Sequence, residues 1–186
     1  MRTLVPDAVA ETLRRTGRET VRLYVAACVE RMAPLLVGLR AGEAGRETDM
    51  DLYVESAHAL WYADRPVADA LDRVRALERF AELQPREEEV SGVADRYAPF
   101  AVLVMRHALL ANAGGSAEDA MSCGHAALTA VRMLDRNVGG VAFRAEEERL
   151  QLLSVAVDIA GLWEASVLAG RERLRAVLSR TAQGPR

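Results

Sequence analysis

The apolar residues of this chain follow one another at intervals of three and four positions along most of its length. That spacing places them on one face of an α-helix. The alternation that marks a half-buried strand is nearly absent, and so are the Asn-Gly and Asp-Gly turns of hairpins. The sequence therefore predicts an all-α protein, a single-domain bundle of six to eight helices. The domain occupies residues 1–186 and ends in a frayed tail at about 181–186.

Glycine, proline and capping residues divide the pattern into seven predicted helices. These helices run at about 6–15, 19–40, 48–61, 66–85, 97–112, 116–137 and 145–179. Pro34 should kink the second helix, because proline lacks a backbone donor and crowds the carbonyl four residues earlier. Gly170 is a candidate break in the seventh.

The fifth and seventh predicted helices are expected at the centre of the bundle. The fifth is apolar on nearly every side, as a helix surrounded by others should be. The seventh is apolar in most directions but carries one narrow polar stripe, at spacings of four, three and four. The stripe consists of Glu147, Gln151, Ser154 and Asp158. It either faces solvent or lines a cleft, and the solvent interpretation is favoured because an amphipathic surface is the default.

The sixth predicted helix carries a similar polar line, formed by Ser122, His125, Thr129 and Arg132. If the two lines faced each other, they would form a polar groove able to hold a small molecule or a peptide. On this hypothesis the candidate binding residues are Glu147, Gln151, Ser154, Asp158, His125 and Arg132.

Composition and charge narrow the classes of function. The net charge is −3, from 27 acidic and 24 basic residues, which argues against a nucleic-acid binder. The longest apolar region, 150–169, contains Asp158 and Glu164, so no membrane-spanning helix is expected. No secretory signal is visible at 1–20, and Cys28 and Cys123 are isolated in apolar stretches. We therefore expect a cytoplasmic protein with buried free thiols.

Motifs for catalysis and metal binding do not stand out. His58, His107 and His125 lie on three different predicted helices, without the His-x-x-Glu-His or Cys-x-x-Cys spacing of a zinc site. The sequence has no nucleophile elbow and no phosphate loop. It predicts no metal and no cofactor, and it favours a protein that is not an enzyme.

The adjacent pair Glu30-Arg31 interrupts the apolar ladder of the second predicted helix just before Pro34. Neighbouring residues point about 100° apart on a helix, so these two side chains do not face each other. The favoured interpretation is that each pairs with a charge on a neighbouring helix, since polar groups among core residues are usually satisfied internally. The alternative is a charge that binds a partner.

Several segments carry a family resemblance. Residues 24–34 place Glu-Arg and a proline in an apolar helix, and Ala59-Leu-Trp61 follows on a later helix. Segments 69–82 and 117–134 continue the similarity over about residues 20–170. In this order they resemble the YjaG-like proteins, an all-helical bacterial family known only as a domain of unknown function. The resemblance implies an all-helical fold and no particular reaction.

These observations predict a non-enzymatic helical domain that binds another protein, as an immunity or antitoxin-like partner does. Acidic clusters at 87–89 and 146–148 suit a basic partner. Two alternatives stay open. One is a small-molecule-binding protein or enzyme that uses the polar groove between the sixth and seventh helices. The other is a homo-oligomeric scaffold.

Overall fold

The computed structural model describes residues 4–62, 67–85, 92–138, 142–156 and 159–182. Within these ranges all regular structure is helical, which confirms the all-α prediction. The α-helices are α1 (Asp7–Arg15), α2 (Arg18–Met32), α3 (Pro34–Arg40), α4 (Glu47–Tyr62), α5 (Ala70–Leu77), α6 (Val93–Gly114), α7 (Ala117–Val138), α8 (Phe143–Ser154) and α9 (Ile159–Ala182). A short 3-10 helix, Ala81–Leu83, precedes α6. With α2 and α3 counted as one kinked helix, the described residues form eight α-helices, within the predicted six to eight.

Pro34 divides the second predicted helix. α2 ends at Met32, Ala33 keeps helical backbone angles, and Pro34 is the first residue of α3. Because proline has no N–H group, the carbonyl of Glu30 loses its usual helical partner there. α9 packs directly on this point, since a Cβ atom at Gly170 would lie 3.0 Å from the Glu30 carbonyl oxygen. The missing side chain at Gly170 lets the two backbones touch.

The sequence suggested that the seventh predicted helix breaks at Gly170. The break lies earlier, between α8 and α9. α8 ends at Ser154 and α9 begins at Ile159, while Gly170 lies inside the uninterrupted α9. This glycine serves close packing against α2 instead of ending a helix. At the C-terminus, α9 continues to Ala182, beyond the start of the predicted frayed tail; residues 183–186 lie outside the described ranges.

The middle of α2 is covered by other helices on every side. Its four consecutive residues Ala26, Ala27, Cys28 and Val29 are at most 1% exposed, and four consecutive residues point all the way around a helix. α6 is also extensively buried and packs against α2, α3, α5 and α7. The centre thus includes α2, which the sequence did not single out; the central position of the fifth and seventh predicted helices stays a prediction.

Two further sequence predictions concern the core and the membrane. Cys28 and Cys123 are buried free thiols, as expected. Among the described helices, none combines the length and the hydropathy that crossing a bilayer requires.

Candidate functional site

Arg31 lies near the end of α2 with its side chain fully buried. Its guanidinium forms a bidentate ion pair with Glu147 of α8, which is equally inaccessible to solvent. Arg31 Nε is 2.8 Å from Glu147 Oε2, and Nη2 is 3.0 Å from Oε1. The prediction that Arg31 pairs with a charge on a neighbouring helix is confirmed.

A second arginine shares this carboxylate. Arg173 of α9 places Nη2 2.6 Å from Glu147 Oε2 and Nη1 3.3 Å from the carbonyl oxygen of Arg31. We call Arg31, Glu147 and Arg173 the buried ion cluster; two guanidinium cations surround one carboxylate in it. Burial raises the pKa of Glu147, but attraction to Arg31 and then to Arg173 outweighs burial and brings this pKa to about 2.

Gln151 extends the cluster toward α7 and α2. Its Nε2 donates to Glu147 Oε1 at 2.9 Å and to the carbonyl of Gly124 at 3.0 Å. Its Oε1 accepts a hydrogen bond from Tyr24 Oη at 3.0 Å. This crossing needs a glycine, because a Cβ atom at position 124 would lie 2.0 Å from Tyr24 Oη.

Arg31 has a partner for each of its five N–H donors. Besides the two bonds to Glu147, Nη1 donates to Ser154 Oγ at 3.4 Å and Ser166 Oγ at 3.2 Å. Nη2 also donates to Cys28 Sγ at 3.3 Å. A guanidinium in a dry interior is tolerated when its donors are satisfied in this way.

The polar stripe on the seventh predicted helix therefore faces inward. Glu147, Gln151 and Ser154 are at most 3% exposed, whereas their neighbour Leu152 is 42% exposed. The favoured solvent interpretation is wrong for these three residues. They lie on the side of α8 that packs against α2 and α9, where Arg31 and Arg173 bind Glu147. Asp158, the fourth residue of the stripe, lies outside the described residues.

Sequence reasoning missed Arg173, although a signal was present. Buried residues of α9 recur at helical spacing: Leu162, Ser166, Ala169, Arg173 and Val177. An arginine at a core position of such a ladder indicates a buried anionic partner. The stripe of α8 carries that partner.

Within the described residues, no hydrogen bond joins the polar line on α7 to the stripe. His125 is half-buried, and its Nδ1 accepts a hydrogen bond from the backbone N–H of Leu4 at 3.1 Å. Arg132 is exposed. Tyr24 and Gln151 fill the space beside Gly124. The polar groove between the two helices stays a prediction.

His58, His107 and His125 lie on three different helices, α4, α6 and α7. In the part of the chain that the structure describes, no three His, Cys, Asp or Glu side chains are grouped so that they could hold a metal ion.

Glu30 points away from its neighbour Arg31. One carboxylate oxygen, Oε2, accepts a hydrogen bond from Trp61 Nε1 of α4 at 3.1 Å. Within the described residues, no cationic side chain lies within ion-pair distance of it. The prediction that Glu30 pairs with a charge is therefore wrong; an indole takes that place.

Glu30 forms part of a surface groove between α2, α4 and α9, which we call the aromatic groove. Its volume is about 260 Å³, and its lining residues are Glu30, Ala33, Tyr53, Val54, Ala57, His58, Trp61, Tyr62 and Trp163. The chain has two tryptophans and four tyrosines. Both tryptophans and two of the tyrosines line this groove, so aromatic side chains are concentrated in one place.

Contacts behind the groove hold its walls. Arg22 Nη1 of α2 donates to the carbonyl of Trp61 at 3.2 Å and satisfies an otherwise unpaired group at the end of α4. Tyr53 is buried and donates its Oη to the carbonyl of Ala101 at 3.2 Å. Tyr62, by contrast, is 66% exposed and Trp163 is 42% exposed. The groove thus has a fixed wall and an open aromatic rim.

The Glu30 carboxylate is under-compensated. Burial raises its pKa, and the hydrogen bond from Trp61 and the positive charge of Arg171 oppose this rise without cancelling it. A carboxylate in this position would be stabilised by a further cation.

The two sites differ in what they can do. The buried ion cluster is closed to solvent and its charges are bound to one another, so it holds α2, α8 and α9 together. The aromatic groove is open and carries an anion, Glu30, that has no ion-pair partner among the described residues. Its aromatic rim is accessible to solvent.

Comparison with known proteins gave no match, whether with protein-family models, curated proteins or solved structures. The resemblance to the YjaG-like family stays a prediction.

Proposed function

We propose that this protein is a non-enzymatic interaction domain that binds another protein through the aromatic groove. The observation that carries the proposal is the exposure of Tyr62 and Trp163 beside Trp61 and Glu30. Tryptophan and tyrosine dominate the energetics of protein interfaces, because they bury a large area with few rotatable bonds. An aromatic cluster at an open groove, in a chain with 5% aromatic residues, is typical of a binding surface.

The acidic clusters contribute less to this proposal than the sequence suggested. In the 146–148 cluster, Glu147 is fully buried, and Glu148 pairs with Arg144 at 2.8 Å. Residues 87–89 lie outside the described residues. Attraction to a basic partner is supported instead by Glu30. An immunity or antitoxin-like role, in which the domain occupies its partner, is one use of such a groove.

The test is affinity capture from the native cell with a double variant, Tyr62→Ala and Trp163→Ala. Both side chains are exposed, so the fold should persist. The matched control is Leu71→Ala, which removes an apolar side chain that is 54% exposed and lies outside the groove. We expect a stoichiometric protein with the wild type and the control, and its loss with the double variant.

Two results would overturn the proposal. One is capture that the groove variant leaves unchanged. The other is a purified protein that turns over a metabolite or retains only a small molecule.

A further inference from the structure

The Glu30 carboxylate lines the aromatic groove. Oε2 accepts a hydrogen bond from Trp61, whereas Oε1 has no hydrogen-bond or ion-pair partner among the described residues. Arg171 lowers the pKa of this carboxylate from a distance too long for an ion pair. The groove thus contains an anion with room to accept at least one more hydrogen bond.

The walls around this oxygen select the cation. Trp61, Tyr62 and Trp163 line the groove, and Tyr62 lies against His58 with 4.6 Å between ring centroids. Aromatic faces attract cations, and guanidinium groups most often occupy such positions. A guanidinium is planar and weakly hydrated, so it stacks on a ring while it donates to a carboxylate. A lysine ammonium is compact and strongly hydrated, and it would lose more on entering a half-buried groove.

We propose that the aromatic groove binds an arginine side chain presented by a basic segment of the partner protein. The guanidinium donates to Glu30 and stacks on the exposed aromatic rings. This inference rests on the proposed function, and it specifies the chemistry of the partner.

The experiment uses a capped five-residue peptide with one central arginine, and the same peptide with citrulline in its place. Citrulline keeps the size and shape of arginine and removes the charge. The only two tryptophans of the chain line the groove, so intrinsic fluorescence and the two indole N–H signals report binding without background. We expect the arginine peptide to bind with a Kd of about 1 mM or tighter. It should bind at least about tenfold more tightly than the citrulline peptide.

Glu30→Gln removes the charge but keeps an oxygen that can accept from Trp61. It should weaken binding of the arginine peptide at least about tenfold and abolish the preference over citrulline. The matched control is Glu19→Gln, which removes one charge from the exposed start of the same helix. Affinity should stay within about twofold of wild type, because exposed charges far apart are screened.

Three results would overturn the inference. The first is no response to the arginine peptide, or equal binding of both peptides to the wild type. The second is tighter binding of tetramethylammonium than of the arginine peptide, which would assign the groove to a quaternary ammonium. The third is a dimer, seen by sedimentation, that Glu30→Gln dissociates. If either of the first two occurs while partner capture still requires Tyr62 and Trp163, the proposed function stands. Only the proposal that the groove binds an arginine side chain is then wrong.

Discussion

Glu30 and Arg31 are adjacent in sequence and serve two different regions. Arg31 points into the interior, where all five of its donors have acceptors, two of them on Glu147. Glu30 points to the aromatic groove, where one indole is its hydrogen-bond partner. The rotation of about 100° per residue on a helix is enough to separate them. One charged dipeptide therefore stabilises the fold with one side chain and lines the aromatic groove with the other.

The difference lies in how completely each charge is satisfied. A buried charge without partners costs several kcal/mol, so a fold retains one where its partners are fixed. At a half-buried position the cost is smaller, and an unpaired charge is tolerated. Incomplete satisfaction at an open groove is therefore a better indicator of binding than a strong ion pair inside the core.

The largest expected effect comes from breaking the buried ion cluster. Glu147→Gln removes the anion from between Arg31 and Arg173 and leaves two buried cations uncompensated. We expect a loss of about 3–5 kcal/mol in the free energy of unfolding, measured by chemical denaturation. Glu148→Gln, one residue along α8, breaks a surface pair with Arg144 instead, and should cost at most about 1 kcal/mol. Equal stability of the two variants would show that the cluster is not formed.

Lowering the pH should also destabilise the protein, because it protonates the Glu147 carboxylate. The pKa of Glu147 is about 2 in the folded protein, below its ordinary value of 4.5. The folded state therefore binds fewer protons than the unfolded state between these values, and stability falls as the pH decreases from about 4.5 to about 2. The contribution of this group is on the order of 3 kcal/mol. Denaturation midpoints measured across this range should fall more steeply for wild type than for Glu147→Gln.

The sequence predicted the helices well, because their period comes from local spacing. It also predicted that Arg31 has an internal partner and that Glu147, Gln151 and Ser154 lie on one face of a helix. It could not predict their direction, since a polar stripe on an apolar helix is the same pattern whether it meets water or arginines. Arg173 comes from a helix 26 residues beyond Glu147. Only the tertiary fold brings the two together.

The aromatic groove could not be predicted from the sequence, because it also depends on the tertiary fold. Trp61 and Tyr62 are adjacent, but Trp163 is about a hundred residues later, and no local spacing links it to α4. Glu30 was singled out as a charge inside a core ladder. Its indole partner depends on where α4 crosses α2.

A moderate loss of stability is expected from a substitution at Gly124, where α7 packs against α2. Gly124→Ala would place a Cβ atom 2.0 Å from Tyr24 Oη, so the tyrosine and its bond to Gln151 must shift. We expect a loss of about 1–3 kcal/mol in unfolding free energy. Gly114→Ala, at the end of α6, meets nothing within 4 Å and should be neutral or stabilising by less than about 1 kcal/mol. If the two alanine variants are equally stable, α7 does not pack against Tyr24 at Gly124 as closely as described.

The smallest effect on stability should come from Glu30→Gln, the same substitution that is most damaging at position 147. Burial raises the pKa of Glu30, so the folded state binds more protons than the unfolded state, and the ionised carboxylate opposes folding as the pH rises above its ordinary value of 4.5. Glutamine is neutral and can still accept from Trp61. We therefore expect its unfolding free energy at pH 7 to lie within about 0.5 kcal/mol of wild type and not below it. Any advantage should disappear as the pH falls below 4.5, where wild-type Glu30 is protonated too. A clear loss of stability at pH 7 would mean that Glu30 is a structural charge like Arg31, and the contrast between the two neighbours would fail.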